Sequence, residues 1–283
     1  MPTLLLNSRG YYSKQPQTPT APSLHGPGRG LVLSWTPVCK GAMRPGGAVS
    51  STIGSMTFAK REVGAAIVGA YQGTNNYEKI ERNALLSFTG PHTYETLIKV
   101  TAFQTTVYPY ITGIISQFQS ASGYGSVLRF NDDATIGHAA YPVFFILQGH
   151  VEKHATGSAL NTNVIYHLVG TYTGSAIRLY INGVLVAETS ASGAVDNETD
   201  SYVSLMSDYT NGNDNSSNRC LNGEMYLARV YNVGKTASEV LSLYQNAWCI
   251  YKTNRLLFTD TAAATPVPKS FVYSQAVNRA ALW

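Results

Sequence analysis

The histidines of this 283-residue chain are the first residues whose spacing could support metal or acid–base chemistry. Five of the six lie within residues 92–167, and His150 and His154 are four residues apart, as in zinc-binding helices. Gly149 and Gly157 surround this pair, and the glutamate that follows the first histidine in such helices is missing. The pattern therefore predicts ordinary strand and loop histidines.

Clustered oxygen donors occur at two places, Asn131-Asp132-Asp133 and residues 208–214. Calcium is bound by carboxylate and carbonyl oxygens, so the first cluster predicts a calcium site at Asp132 and Asp133. Asn, Asp and Gly are also common in turns, because they tolerate positive φ, and the alternating acids of a loop-type calcium site are missing. A plain turn is therefore the alternative, and no other cofactor is expected.

Sugar binding is the third chemistry that the residue types allow. Tyr209 is followed closely by Asn211 and Asn213, which would place an aromatic ring beside polar groups, and Tyr124 with Asn131 offers a second combination. Both clusters are also typical of ordinary loops. We keep Tyr209, Asn211 and Asn213 as the candidate glycan-binding residues.

Residues 164–188 predict the strands that would position these loops. Asn182-Gly183 favours a type I′ hairpin turn, and a two-residue turn pairs Ile181 with Val184. The expected pairing of Leu179 with Val186 would then give one buried apolar face, formed by Ile177, Leu179, Ile181, Val184 and Val186. A meander with one buried face must pack against a second sheet, which predicts a sandwich.

A short helix is predicted after the strand Leu221–Tyr231. Thr236 and Glu239 have the spacing of a capping box, in which each side chain bonds a backbone amide at the helix start. Val240, Leu241 and Tyr244 would form its apolar stripe.

Together these segments resemble the laminin G-like, concanavalin A-like jelly roll. The resemblance is carried by Gly170-Thr-Tyr-Thr-Gly, Leu179-Tyr-Ile-Asn-Gly and Gly223–Tyr231 with the following helix. It is specific over residues 160–246 and looser over residues 50–159. It implies an all-β fold, a two-sheet antiparallel jelly-roll sandwich over residues 49–249 with one short C-terminal helix.

The same resemblance allows enzymatic chemistry to be tested. Glucanases of this superfamily carry Glu-x-Asp-x-x-Glu on one strand, so that two carboxylates share a face at the spacing that glycoside hydrolysis needs. This chain lacks that array, because its glutamates are separated, and we expect a protein that is not an enzyme.

Extracellular relatives have a disulfide near the positions of Cys220 and Cys249. Since no signal peptide is recognised, free thiols are expected here.

Both chain ends differ in composition from the middle. Residues 1–50 contain seven of the twelve prolines, five basic residues and no acidic ones. They predict an extended Pro/Gly-rich arm over residues 1–48, and residues 250–283 form a C-terminal extension. The alternative is a disordered leader with a first strand at Leu31–Trp35. The apolar residues expected to bind neighbouring subunits are Leu5, Tyr11, Tyr12, Leu31, Trp35, Phe258, Phe271 and Trp283.

The layout also resembles phage-encoded jelly-roll proteins, with Arg29-Gly-Leu-Val32 at the end of the proline-rich leader and Leu243–Trp248 after the helix. Together with the observations above, this resemblance predicts a non-enzymatic virion structural protein of a tailed bacteriophage. A capsid decoration or cementing subunit is expected first, bound to other virion proteins by its arms and assembled as a homo-oligomer in the host cytoplasm. A tail or fibre component, or a carbohydrate-binding module that attaches to host-surface glycans, is the alternative. Nucleic-acid binding is not expected because the basic residues are too sparse, and no segment is long and apolar enough for membrane insertion.

Overall fold

The computed structural model describes residues 28–36, 41–43, 50–53, 57–61, 64–69, 77–81, 84–119, 124–197, 202–208 and 219–247. Within these residues it contains strands β1 Leu31–Thr36, β2 Gly41–Met43, β3 Ser50–Ile53, β4 Thr57–Arg61, β5 Gly64–Gly69, β6 Tyr77–Ile80, β7 His92–Ala102, β8 Thr112–Gln119, β9 Tyr124–Phe130, β10 Pro142–Gln148, β11 Val151–Thr156, β12 Ile165–Tyr172, β13 Ala176–Ile181, β14 Val184–Ser190, β15 Val203–Leu205 and β16 Asn222–Tyr231. Helix α1 spans Ala237–Gln245, and short 3₁₀ turns lie at Ala84–Leu86 and Ile136–His138.

The strands form two antiparallel sheets, which confirms the predicted jelly-roll sandwich. The first sheet has the order β14-β13-β12-β7-β16-β1-β2, with β5 also paired to β16 and β4 paired to β5. The second has the order β11-β10-β9-β8-β15-β6-β3. Strand β16 pairs with β7 along one edge, and with β5 and then β1 along the other.

The core lies between the two sheets because alternate side chains of each strand point inward. On β10, Phe144 and Ile146 belong to the main core, whereas Phe145 and Leu147 belong to a separate apolar cluster on the opposite face. Gly170 of β12 faces Phe144 so closely that a Cβ atom there would lie 2.2 Å from the Phe144 ring. Glycine at this position therefore allows the sheets to approach each other.

The β13–β14 hairpin confirms the predicted turn and corrects the predicted burial. Asn182 and Gly183 have positive φ, and Ile181 pairs with Val184. A register shift then places Leu179 opposite Ala187 and not Val186. Val184 and Val186 are 62% and 41% exposed on the edge strand, so their expected place in a buried face is wrong.

Strand β1 corrects part of the predicted N-terminal arm. Leu31 pairs with Tyr231 and Trp35 with Ala228, and their exposed fractions are 3% and 0%. Trp35 packs in the core between the sheets and Leu31 in the apolar cluster beneath α1, so the prediction that they bind a partner is wrong, and the alternative of a first strand at this position is confirmed. Cys249 lies outside the described residues. The same is true of the other proposed partner-binding residues, which are Leu5, Tyr11, Tyr12, Phe258, Phe271 and Trp283.

Helix α1 covers the outer face of the first sheet. Its capping box is confirmed, because the Glu239 amide donates to Thr236 Oγ1 at 3.3 Å and the Thr236 amide donates to Glu239 Oε2 at 2.9 Å. Val240 and Leu243 are buried, whereas Leu241 of the predicted stripe is exposed. No helix in the described part of the chain has the length and apolar character needed to span a membrane.

Candidate functional site

Three connections meet at one end of the sandwich. Residues 103–111 join β7 to β8, residues 131–141 join β9 to β10, and residues 157–164 join β11 to β12. The amide of Leu160 donates to the Ala140 carbonyl at 3.0 Å, and the amide of Asn163 donates to the Val100 carbonyl at 2.7 Å. We call these three connections the loop end.

Asn131 holds two of these connections together. Its Nδ2 donates to the carbonyl oxygens of Tyr110 at 3.2 Å and Thr135 at 2.8 Å, with a longer contact of 3.4 Å to Pro109. Its Oδ1 accepts from the Asp133 amide at 3.2 Å. The residue is fully buried and has φ of 76°, a conformation that asparagine adopts more readily than most residues. The side chain therefore fixes the position of residues 108–110 relative to residues 131–135.

Tyr108 presents an aromatic ring to solvent at this end. Its side chain is 72% exposed, and the Tyr110 ring lies 6.0 Å away in an edge-to-face arrangement. Buried Gln104 fixes the preceding backbone, because its Oε1 accepts from the Thr106 amide at 3.0 Å and from the Val107 amide at 3.3 Å. The loop end thus carries an aromatic pair, with Tyr108 exposed and Tyr110 half-buried, on a well-bonded connection.

Two carboxylates and an imidazole lie on the neighbouring connection. His138 Nδ1 is 2.7 Å from Asp132 Oδ1 and 3.1 Å from Asp133 Oδ2. Asp133 Oδ1 also accepts from the hydroxyl and the amide of Thr135, at 2.8 and 3.0 Å. The Thr135 hydroxyl bond is the largest of the effects that lower the pKa of Asp133. This carboxylate therefore remains ionised into mildly acidic solution.

This donor set is a poor match for the predicted calcium ion. The candidate donor atoms of Asp132, Asp133 and His138 lie within 4.8 Å of one another. One of the three is an imidazole nitrogen, whereas calcium prefers six to eight oxygen donors. The His138 Nδ1–H can itself occupy the space between the carboxylates, because both distances are those of hydrogen bonds. Calcium at Asp132 and Asp133 stays a prediction.

Arg129 links residues 131–133 to Asp208, which directly precedes the predicted glycan-binding loop. Its Nε donates to the Asn131 carbonyl at 3.1 Å, and its Nη1 lies 3.4 Å from Asp208 Oδ2. Arg219 approaches the same carboxylate at 3.5 Å, and the Asp208 amide bonds the Arg219 carbonyl. Tyr209, Asn211 and Asn213 lie outside the described residues, but the residues on either side of their loop are therefore beside the loop end.

The second predicted sugar-binding combination is wrong. Tyr124 begins strand β9 and Asn131 follows its last residue, so the full length of an extended strand separates them. The Tyr124 ring contacts His150, with centroids 5.3 Å apart, at the end of the sandwich opposite the loop end. Asn131 is buried and serves as the clamp described above.

The outer face of the second sheet offers no open glucanase groove in its described part. Ser116, Val127 and Phe145 form a row across β8, β9 and β10, and all three are fully buried. Burial also raises the pKa of Glu152, which lies 3.9 Å from Arg129. Asp208 is inaccessible because its side chain is buried between two guanidinium groups. Both carboxylates therefore pair with arginine side chains.

A second buried charged cluster lies beneath α1 and was not predicted. Glu95 accepts from Arg229 Nη1 at 2.9 Å, lies 3.1 Å from His167 Nε2 and also accepts from the Tyr231 hydroxyl. Burial alone would raise the pKa of Glu95, but the charge of Arg229 and the contacts with His167 and Tyr231 outweigh it and lower the pKa to about 2. Because these side chains are inaccessible and Arg229 also bonds the Ala247 carbonyl, the cluster anchors the helix end.

Comparison with known proteins places this architecture in a family. Residues 72–241 match the family Laminin_G_3, described as the concanavalin A-like lectin/glucanases superfamily. The match covers more than half of the chain, so the protein belongs to this family. No curated protein sequence matches it.

Several proteins share the fold. The binding domain of Paraclostridial Mosquitocidal Protein 1 is 15% identical with a TM-score of 0.58, covering 76% of this chain and 52% of that one. The binding domain of Botulinum Neurotoxin DC in complex with SialylT is 12% identical with a TM-score of 0.57, covering 76% and 51%. Domain 4 of AbnA, an extracellular arabinanase from Geobacillus stearothermophilus in complex with arabinotriose, is 14% identical with a TM-score of 0.53, covering 76% and 98%. This chain spans about half the length of the two toxin binding domains.

Proposed function

We propose that this protein is a lectin-like module that binds a glycan at the loop end and performs no catalysis. The observation that carries the proposal is the exposed ring of Tyr108, held by the buried Asn131 clamp beside the carboxylates of Asp132 and Asp133. A sugar ring has an apolar C–H face that packs on an aromatic side chain and hydroxyls that bond carboxylates. Small-molecule sites typically combine an aromatic surface with a small number of precisely placed polar groups.

The relatives support this proposal at the level of the fold. Their structures include a domain in complex with arabinotriose and a toxin binding domain in complex with SialylT. One fold supports many functions, so the argument for binding depends on the side chains of this chain. Glu152 and Asp208 both pair with Arg129, and this pairing supports a binding role over hydrolysis.

A glycan array with the full chain and two tyrosine variants tests the proposal. We expect Tyr108→Ala to weaken binding by about tenfold, because it removes a ring contact of about 1 kcal/mol together with buried apolar area. Tyr124→Ala is the matched control, since it removes a tyrosine at the opposite end. Equal binding by both variants, or no retained glycan at all, would contradict the proposal.

The narrower hypothesis of a phage virion subunit remains a prediction. It is supported by the apolar and basic composition of the terminal segments, most of which lie outside the described residues. The expected homo-oligomer and virion localisation have the same support and also remain predictions. Deleting residues 1–27, which precede the described strands, should abolish incorporation into particles if those residues bind a neighbouring subunit. Full incorporation of the shortened chain would contradict the hypothesis.

A further inference from the structure

We infer that the loop end selects glycans with protonated amino groups over N-acetylated and acidic glycans, an inference that rests on the proposed glycan binding. The residues that would produce this selectivity are Tyr108 and Tyr110, whose ring faces attract cations, together with Asp132 and Asp133, whose carboxylates are negative. Rings and carboxylates are chemically independent, and both favour a positive ligand. The Asn131 side chain donates to the carbonyls of Pro109 and Tyr110 and accepts from the Asp133 amide, so the backbone segments that carry the rings and the carboxylates are neighbours.

The charges around the site leave this end negative. Arg129 and Arg219 both approach Asp208, and Glu152 lies 3.9 Å from Arg129, so these two arginines and two carboxylates compensate one another. On β7, Lys99 pairs with Glu224 at 3.0 Å.

The three connections themselves contain few charges. Residues 103–111 and 157–164 contain no charged side chain, and residues 131–141 contain Asp132, Asp133 and His138. A positive charge on His138 would offset only one of the two carboxylates, so these connections keep a negative sign. An ionised carboxylate has two oxygens with about four acceptor positions. The bonds to His138 and Thr135 therefore leave acceptor capacity for a ligand ammonium group.

The local sign is opposite to that of the whole chain. The protein has a formal net charge of +4, which by itself would attract acidic polysaccharides and repel cationic ones. A preference for cationic glycans would therefore arise from the loop end and not from the overall field. Like charges also exclude the wrong ligand, because a sialic or uronic acid carboxylate would be placed against two aspartates.

Four probes of similar length, measured in slightly acidic buffer, separate recognition of an amino sugar from general attraction to cations or to anions. They are a glucosamine hexamer with free amino groups, the fully N-acetylated hexamer, a galacturonic acid hexamer and hexalysine. We expect the full chain to bind the glucosamine hexamer most tightly, with the N-acetylated hexamer about three- to tenfold weaker. The difference should shrink at high salt, because exposed charges are screened.

The variant pair tests which residues produce the selectivity. Asp132→Asn with Asp133→Asn keeps the side-chain shape and should reduce the preference for free amino groups to less than twofold. Glu81→Gln with Glu188→Gln is the control, because it changes the net charge equally at exposed positions outside the loop end. The control should keep the wild-type preference.

The outcomes distinguish this inference from the proposed function. Binding that depends on Tyr108 but favours the acidic hexamer, or that is unchanged by the aspartate variant, would overturn the charge selectivity and leave glycan binding intact. Hexalysine binding as tightly as the glucosamine hexamer would also overturn it, because charge alone would then be recognised. Absence of binding to every hexasaccharide would overturn the charge selectivity, and glycan binding itself would be overturned only if the glycan array also retained no glycan.

Discussion

Asn131 shows how a single side chain can organise a binding surface. It is fully buried, it lies outside any strand, and its amide group bonds two different connections. The Tyr110 carbonyl therefore accepts from a side chain and not from a sheet partner, and the Thr135 carbonyl accepts from the same side chain as well as from the His138 amide. Buried backbone oxygens need such partners, so this residue contributes both to stability and to the position of the aromatic pair.

Asn131→Asp tests this role with almost no change in shape. The substitution replaces the donating amide by a carboxylate oxygen that faces carbonyl oxygens, so we expect the free energy of unfolding to fall by about 2–3 kcal/mol. Urea unfolding measures the loss. Asn163→Asp is the matched control, because Asn163 also has positive φ but is exposed, and it should change stability by less than about 0.5 kcal/mol. Equal losses in both variants would contradict the clamp.

Helix α1 shows how a short element depends on its ends. A helix of nine residues is too short to be stable alone, so its cap and its contacts must hold it. The capping box supplies two hydrogen bonds, and Glu239 also pairs with Arg29 at 3.1 Å, which connects the helix to the segment before β1. Burial tends to raise the pKa of Glu239, but the bonds from Arg29 and Thr236 lower it to about 2.

Thr236→Ala should therefore destabilise the protein by about 1 kcal/mol, since it removes the hydroxyl that accepts from the helix start. Thr236→Ser keeps that hydroxyl and should retain nearly full stability. Thermal unfolding of the three proteins, compared at one pH, measures the effect. A serine variant as unstable as the alanine variant would indicate that the methyl group, and not the hydrogen bond, is what matters.

Local signals explain which elements were predictable. The Asn182-Gly183 turn and the Thr236–Glu239 box are encoded within four residues, and both were confirmed. The register shift near Leu179 was not predictable, because no residue in β13 or β14 marks it. The position of β1 depends on pairing with β16, about two hundred residues later, so its composition alone suggested an arm.

The whole sandwich explains why the candidate site was only partly predictable. Asp132 and Asp133 were found because acidic residues stand out in a sequence. Tyr108 and Tyr110 were missed because tyrosine is common in this chain, with 19 copies, and exposure cannot be inferred from one loop. Their proximity to the acidic connection arises only when β8 pairs with β9, which places Thr112 opposite Phe130.

The packing of the two sheets also encloses His92, which makes the stability of the whole molecule sensitive to pH. The ring lies among Phe88, Tyr94, Phe144 and Tyr172, with centroids 5.2 to 6.1 Å away, and Nδ1 is 2.9 Å from the Gly90 carbonyl. Burial lowers the pKa of His92 to about 4, because no water can solvate a charged ring there.

The sign of the effect follows from proton binding in the two states. Between pH about 6.5 and 4 the unfolded chain protonates this histidine while the folded protein does not, so acidification favours unfolding. Across this window we expect wild-type stability to fall by about 3 kcal/mol from this group. His92→Phe should remove that slope, whereas His154→Gln, at an exposed position, should leave it unchanged. Urea unfolding at several pH values measures both, and a His92→Phe protein with the wild-type slope would show that another group is responsible.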